Sequence, residues 1–255
     1  MSTIQQHALR LDEAARSATA VEQLDPESQM SLEEAYAIQM ASIQQRLQRG
    51  ETRVGMKMGF TSRAKMSQMG IDDVIWGRLT SGMRIEENST ISLASYVHPR
   101  VEPELAFLLG RDLPEQVTPA EALTAIEAIA PALEIIDSRY RDFKFSLPDV
   151  IADNASSTGF VVGNWGDPRV DFTNLGLAMS FNGQTRHVGS TAAILGNPIR
   201  SLVAAARLAA QAGEPLRAGD IVLAGGATAA EWLEPGQYVR LEMQQLGSLG
   251  FHVEE

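Results

Sequence analysis

The 255-residue chain has no cysteine. That excludes disulfides, thiolate nucleophiles and cysteine-based zinc sites, and it fits a reducing compartment. Positive charge is also scarce: 21 Lys and Arg stand against 32 Asp and Glu, a formal net charge of −11. A surface of that sign repels phosphate backbones and anionic headgroups, so neither nucleic acid nor membrane is expected as a partner. No run of like charges forms an acidic tail. Long hydrophobic runs are missing too, since the most apolar stretch, Leu123 to Ile136, is interrupted by Glu127 and Glu134 and is no membrane span. The N-terminus carries acids early and lacks the apolar core of a signal peptide, which makes a soluble cytoplasmic protein the expectation. His7, His98, His187 and His252 are scattered. HExxH, GxSxG, GxGxxG and P-loop patterns are all absent, so hydrolase and dinucleotide-binding readings lose ground.

What is present suffices for a sizeable core, with 44% of residues hydrophobic. Residues 3–24 and 31–49 show helical spacing. Ser31 and Glu34 make a capping box, and Gly50 is a helix stop. Short strands punctuated by glycine begin at Arg53. A short helix is expected over 62–69, another opens at Thr118-Pro119, and a third runs from Asn197-Pro198 to about Gly213. Strands are expected at 100–109, 132–137, 158–163, 177–189, 219–224 and 237–252. Phe181-Asn182-Gly183-Gln184 signals a type I′ hairpin, and Pro235-Gly236 a turn. Residues 142–154 lack periodicity and are expected as a surface loop or lid. The order of elements suggests an α+β protein, with a helical N-terminal part over 1–52 and a β-rich domain over 53–255.

The most informative stretch is His98 to Phe107. It sets Glu102 and Glu104 two residues apart in a strand whose other face, Val101, Pro103, Leu105 and Phe107, is apolar. Residues i and i+2 of a strand share a face, roughly 7 Å apart. Two like charges buried together need something positive nearby. A second apolar strand, Ala132 to Asp137, embeds Glu134. Three carboxylates on two strands suit Mg²⁺ or Mn²⁺, which take oxygen ligands and keep positions open for water or substrate. The plainer alternative is that these acids pair with a buried Arg or Lys. Lys57, between Gly55 and Gly59, has the chemistry to bind a carboxylate, although a lysine at a strand end is usually solvated. Asp153 to Gly159 offers hydrogen-bond donors or simply turn residues. Leu223 to Thr228 ends a strand in Gly225-Gly226, which suits close approach of backbone to a ligand or a tight bend.

Together these segments resemble the hydratase/decarboxylase branch of the fumarylacetoacetase-like superfamily. The segments that match are 55–66, 98–107 and 133–137, with 143–145, 149–163 and 223–228. The resemblance implies a mixed β-sheet roll around a divalent metal, Mg²⁺ or Mn²⁺, held by Glu102, Glu104 and Glu134. It also implies Lys57 as the catalytic, substrate-binding group, with Ser157 and the backbone of Gly225 and Gly226 completing the substrate cradle. Two activities share the scaffold: hydration of 2-hydroxypenta-2,4-dienoate and decarboxylation of the 2-oxo dicarboxylic acid 4-oxalocrotonate. Hydratases of this kind tend to carry an aspartate where this chain has Ile75. Water activation gains from an acid, whereas loss of CO₂ gains from an apolar pocket. Decarboxylation is therefore the expectation, with hydration or a non-catalytic assembly role as alternatives. The resemblance further implies a homo-oligomer and a hydratase partner in a hetero-complex.

Overall fold

The computed structural model describes residues 1–62, 66–67 and 70–255. Two helices come first, α1 (Thr3–Arg16) and α2 (Leu32–Gln48), the latter closed at its start by the Ser31–Glu34 capping box. The first helix is shorter than its apolar spacing predicts. The chain leaves it at Ser17, and Val21 then forms a bridge to Tyr140. The carboxylate of Asp149 accepts the amides of Leu24 and Asp25, both at 3.0 Å, which holds this segment out of helical geometry. Periodicity cannot register so distant a partner.

The strands make two sheets. The larger has seven strands: β1 (Arg53–Gly59), β2 (Ile75–Thr80), β4 (Arg100–Leu109), β5 (Ile126–Ile136), β6 (Ser157–Val162), β9 (Ile221–Leu223) and β10 (Glu231–Trp232). Its order is β2-β1-β9-β4-β5-β6, with β10 on the other edge of one end of β4. The smaller sheet orders β3 (Thr90–Ser92), β12 (Gly247–Glu254), β11 (Tyr238–Met243), β7 (Gly176–Phe181) and β8 (Gln184–Ser190) as β3-β12-β11-β7-β8. The β7–β8 hairpin turns at Asn182 (φ 50°) and Gly183 (φ 79°), both left-handed as the Asn-Gly pair predicts. Three more helices follow α2 among the fully described segments: α3 (Pro119–Ala125), α4 (Leu147–Ala152) and α5 (Pro198–Gln211). The helix expected over 62–69 falls partly outside the described residues, with Met66 and Ser67 helical.

Period-2 alternation divides the larger sheet into two chemically different faces. Leu105, Phe107, Leu133, Ile135 and Val161 pack with Leu177, Met179, Leu241 and Phe251 of the smaller sheet in the main core. The opposite face carries small side chains, Ala106, Ala130 and Ala132, and the charged residues. Strand β5 begins six residues before the expected 132, because Ile126 to Pro131 continue the same ladder against β4.

Of the stretch 142–154 only the first part, 142–146, is exposed or half-buried loop. The remainder, capped by Ser146 and Asp149, folds into α4, and Pro148 to Asn154 are buried. Val150 and Ile151 join Ala8, Leu11, Ala35 and Ile38 of the N-terminal helices and Ile75 of β2 in a second core. A helix this short shows no readable period, and its burial is fixed by elements distant in sequence. Buried Gln39 ties the layers together, donating to the carbonyls of Trp76 (3.1 Å) and Ile151 (2.7 Å) while its own carbonyl accepts from Arg78.

Candidate active site

Strand register alone brings four charged residues to one face. Glu102 lies directly opposite Glu134 across the β4–β5 ladder, and Glu104 is one pleat further along β4. Across β9, Leu223 is in register with both Ala106 and Lys57, so Lys57 shares that face. Glu102, Glu104 and Glu134 each offer a carboxylate oxygen, and the three oxygens lie within 4.8 Å of one another. Glu104 and Glu134 are fully buried, and Lys57 nearly so.

Each carboxylate is held by groups from another element. Ser157 Oγ donates to Glu134 Oε1 at 2.7 Å, and the Gly225 amide donates to Glu104 Oε2 at 2.7 Å. Gly225 has φ +111°, and a Cβ there would collide with Thr61 Oγ1; at Gly226 a Cβ would stand 2.6 Å from Glu102 Oε2. The glycine pair therefore lets backbone approach the acids where any side chain would fill the space. Lys57 Nζ lies 2.9 Å from Glu134 Oε2 and donates to the Ala155 carbonyl at 3.1 Å. That carbonyl is presented by three successive left-handed residues, Asn154, Ala155 and Ser156, at φ 53°, 51° and 61°. Such conformations are sparsely populated and cluster where a site fixes the backbone.

The charges do not balance. Burial opposes the Lys57 ammonium, but Glu134, Glu102 and Glu104 together outweigh it and hold its pKa above the ordinary lysine value. Burial raises the Glu104 carboxyl well above the carboxylate range, and Glu134 and Glu102 push it further; Lys57 and the Gly225 amide only partly offset this. Glu104 Oε1 is buried with no hydrogen-bond partner among the described residues. The buried lysine of the plainer reading is thus present, yet one ammonium faces three carboxylates. An all-oxygen donor set with an orphaned buried oxygen fits a hard divalent cation. Glu102, Glu104 and Glu134 are the residues able to hold it.

These groups open onto a cavity of about 470 Å³. Lys57, Glu102 and Gly226 form one end, and Phe60, Ile75, Phe143, Phe145 and Val150 form an apolar wall. Ile75 is buried on β2, paired with Gly59. Of the residues expected at substrate, Lys57, Ile75 and Gly226 reach the cavity. Ser157 and Gly225 stand behind it, and their hydrogen bonds hold Glu134 and Glu104 rather than face the open space. Arg100 and Phe143, neither of them expected at substrate, also line the cavity. For Arg100 the signal was available: it sits two residues before Glu102, on the same strand face.

Comparison with known proteins places this geometry. Residues 53–254 match the family described as fumarylacetoacetate (FAA) hydrolase, C-terminal. A 4-oxalocrotonate decarboxylase from Pseudomonas sp. is 64% identical over 244 residues, 96% of this chain and 95% of the relative. A 2-keto-4-pentenoate hydratase from Paraburkholderia xenovorans (strain LB400) is 38% identical, over 86% of this chain and 83% of the relative. The solved structure of 4-oxalocrotonate decarboxylase from Pseudomonas putida G7, complexed with magnesium and adipate, superposes with a TM-score of 0.94 at 32% identity, covering 98% of this chain and 97% of that one. The chain belongs to the fumarylacetoacetate hydrolase family, in the branch that contains 4-oxalocrotonate decarboxylases and 2-keto-4-pentenoate hydratases.

Proposed function

We propose that the chain catalyses magnesium-dependent decarboxylation of 4-oxalocrotonate (2-oxo-3-hexenedioate) to 2-hydroxypenta-2,4-dienoate and CO₂, a step of meta-cleavage catabolism of aromatic compounds. The observation that carries this reading is the triad of half-buried Glu102 with buried Glu104 and Glu134 beside Lys57, opening onto a cavity walled by Ile75, where hydratases of this kind tend to carry an acid. The identity of 64% to a decarboxylase supports the same choice between the sister activities. The magnesium and adipate complex of the Pseudomonas putida G7 decarboxylase supports both the metal and a six-carbon diacid.

The substrate is a vinylogous β-keto acid. Breaking the C5–C6 bond releases CO₂, and its electron pair moves through the former C3–C4 double bond onto the 2-oxo oxygen, which then takes up a proton. A divalent cation held by Glu102, Glu104 and Glu134 would act as a Lewis acid toward the 2-oxo acid end. Lys57 has three N–H donors, of which the Ala155 carbonyl and Glu134 occupy two. The third is available to the C1 carboxylate or to the oxygen on which charge develops. In the metal-free protein the three carboxylates favour the ammonium form of Lys57, and an ammonium at this position would stabilise that charge. Ser157 and the Gly225 amide hold two of the carboxylates in place. Ile75, Val150 and Phe145 give the cavity an apolar wall that limits water and offers no group to activate it.

Residues 53–255 form the catalytic domain in this reading, backed by the helical part over 1–52. The dienol product is the substrate of the sister hydratase, so a hydratase partner in a hetero-complex, and self-association of this chain, belong to the same proposal. Incubation with 2-oxo-3-hexenedioate and Mg²⁺ tests it. Release of CO₂ with appearance of the dienol is expected. Hydration of 2-hydroxypenta-2,4-dienoate without CO₂ release from the diacid would identify a hydratase instead, and turnover of neither would leave an assembly role.

A further inference from the structure

Arg100 is the one cation besides Lys57 among the described residues lining the cavity. We propose that it is the specificity residue of this site: its guanidinium, held against two aromatic rings, grips the distal carboxylate of a 2-oxo dicarboxylic acid. The near end of that acid sits at Lys57 and the three glutamates, and in this the inference rests on the proposed function.

Arg100 opens β4 in register with Ile136 on one side and Trp232 on the other. Its guanidinium carbon lies 4.1 Å from the centroid of the Phe143 ring and 3.8 Å from that of Trp232. The two rings stand at 78° to each other with centroids 5.8 Å apart, so they form a corner that holds the guanidinium by cation–π contact, and its planar fork can meet a carboxylate through two parallel hydrogen bonds. Its Nε is buried with no hydrogen-bond partner among the described residues. Burial lowers its pKa from the ordinary arginine value, a sign that the cation is desolvated. Phe143 is fixed in that corner by a strained backbone, with φ 57° after Asp142 at φ 58°. Strain of this kind is retained where surrounding contacts over-determine it.

Spacing and chemistry agree with a distal anion. Arg100 shares its strand face with Glu102, one strand repeat or roughly 7 Å away. The carboxyl carbons of an extended six-carbon diacid are roughly 6 Å apart, from bond lengths of about 1.5 Å. A ligand of that length matches the spacing of the two positions along the strand. The pairing is made in the ground state and, until the C5–C6 bond breaks, in the transition state as well, so it acts on substrate affinity more than on turnover. It also fixes the rotation about that bond, which must stand across the plane of the conjugated system for its electrons to enter it. Once CO₂ has left, the product has no distal charge for Arg100 to hold, which separates substrate from product at the same site.

Binding of two inert ligands to the Mg²⁺-loaded protein tests this by calorimetry. 2-Oxoadipate and 2-oxohexanoate have the same length and the same 2-oxo acid end, and only the first carries the distal carboxylate. Wild type is expected to favour 2-oxoadipate about tenfold or more, the scale of a charged hydrogen-bonded contact. Arg100→Met should abolish the preference while binding 2-oxohexanoate as wild type does. Arg100→Lys keeps the charge without the planar fork and should retain part of the preference; it also serves if the Met variant does not fold. No preference in wild type, or an equal loss for both ligands in the variants, would overturn the assignment. Since binding is read without turnover, selection of the diacid without CO₂ release would refute decarboxylation alone. CO₂ release without selection would refute the Arg100 subsite alone.

Discussion

Two buried charge clusters meet at the turn from Asp153 to Ser157, and they differ in whether their charge is closed. On one side Arg139 pairs with Asp153, donates from Nη2 to the Asp153 carbonyl at 2.6 Å and reaches Thr158 with Nη1; Asp153 Oδ2 accepts the Arg139 amide at 2.9 Å. Burial raises the Asp153 carboxyl to about 6, with Arg139 pulling it back, so the pair is ionic at neutral pH and needs nothing further. On the other side Lys57 faces Glu102, Glu104 and Glu134, and Glu104 Oε1 has neither a hydrogen bond nor an ion pair among the described residues. A self-satisfied buried pair holds a turn in place, whereas a buried excess of carboxylates is unstable by itself and awaits a cation. The difference between structure and site lies in that imbalance, not in burial.

The comparison is broken most sharply at Glu104. Glu104→Gln should lower kcat/KM by about 10³-fold or more, because several kcal/mol of charge stabilisation go with the cation. The same variant should melt higher than wild type when both are metal-free, since it removes a buried like charge. The balanced cluster should respond in the opposite way. Arg139→Met should destabilise the fold by about 3 kcal/mol in denaturant unfolding, leaving Asp153 uncompensated, with Mg²⁺ affinity of the folded protein unchanged. Lys57→Ala should cost about 10²-fold in kcat/KM, the scale of one lost charge-stabilising donor, while circular dichroism shows a native fold. Ile75→Asp, which puts a carboxylate into the apolar wall, should slow CO₂ release about tenfold; an unchanged rate would remove Ile75 from the choice of reaction.

A pH titration sharpens the contrast further. The folded pKa of Glu104 is raised above its unfolded value. For such an acid, stability is fully present below the unfolded value of about 4.3 and is lost as pH rises through the folded value. Metal-free protein should therefore lose stability on going from acid toward neutral pH, and saturating Mg²⁺ should flatten that dependence.

Much of the site was legible because β-strands make faces readable. The i, i+2 spacing of Glu102 and Glu104 and the acid embedded in Ala132 to Asp137 mark one surface without any knowledge of pairing. Register, which sets Glu102 opposite Glu134, is a long-range property, and only the resemblance to a known family joined the two strands in advance. Residues acting through others were harder to see. Ser157 looked like a ligand-binding hydroxyl, but β6 places it behind Glu134. For Arg100 the strand spacing marks the face, but its contacts with Phe143 and Trp232 are not legible, because those rings come from a non-periodic segment and a two-residue strand. The end of α1 and the burial of 148–154 were hidden for the same reason: Asp149 and the second core decide them, and both draw on residues more than a hundred positions apart.

The most direct test of the central claim is calorimetric titration of Mg²⁺ into metal-free wild type and Glu104→Gln, with the melting temperature followed in parallel. The account predicts one Mg²⁺ per chain and a melting temperature that rises with Mg²⁺ in wild type, and neither in the variant. Saturable binding of equal affinity in both proteins, or none in wild type, would contradict it.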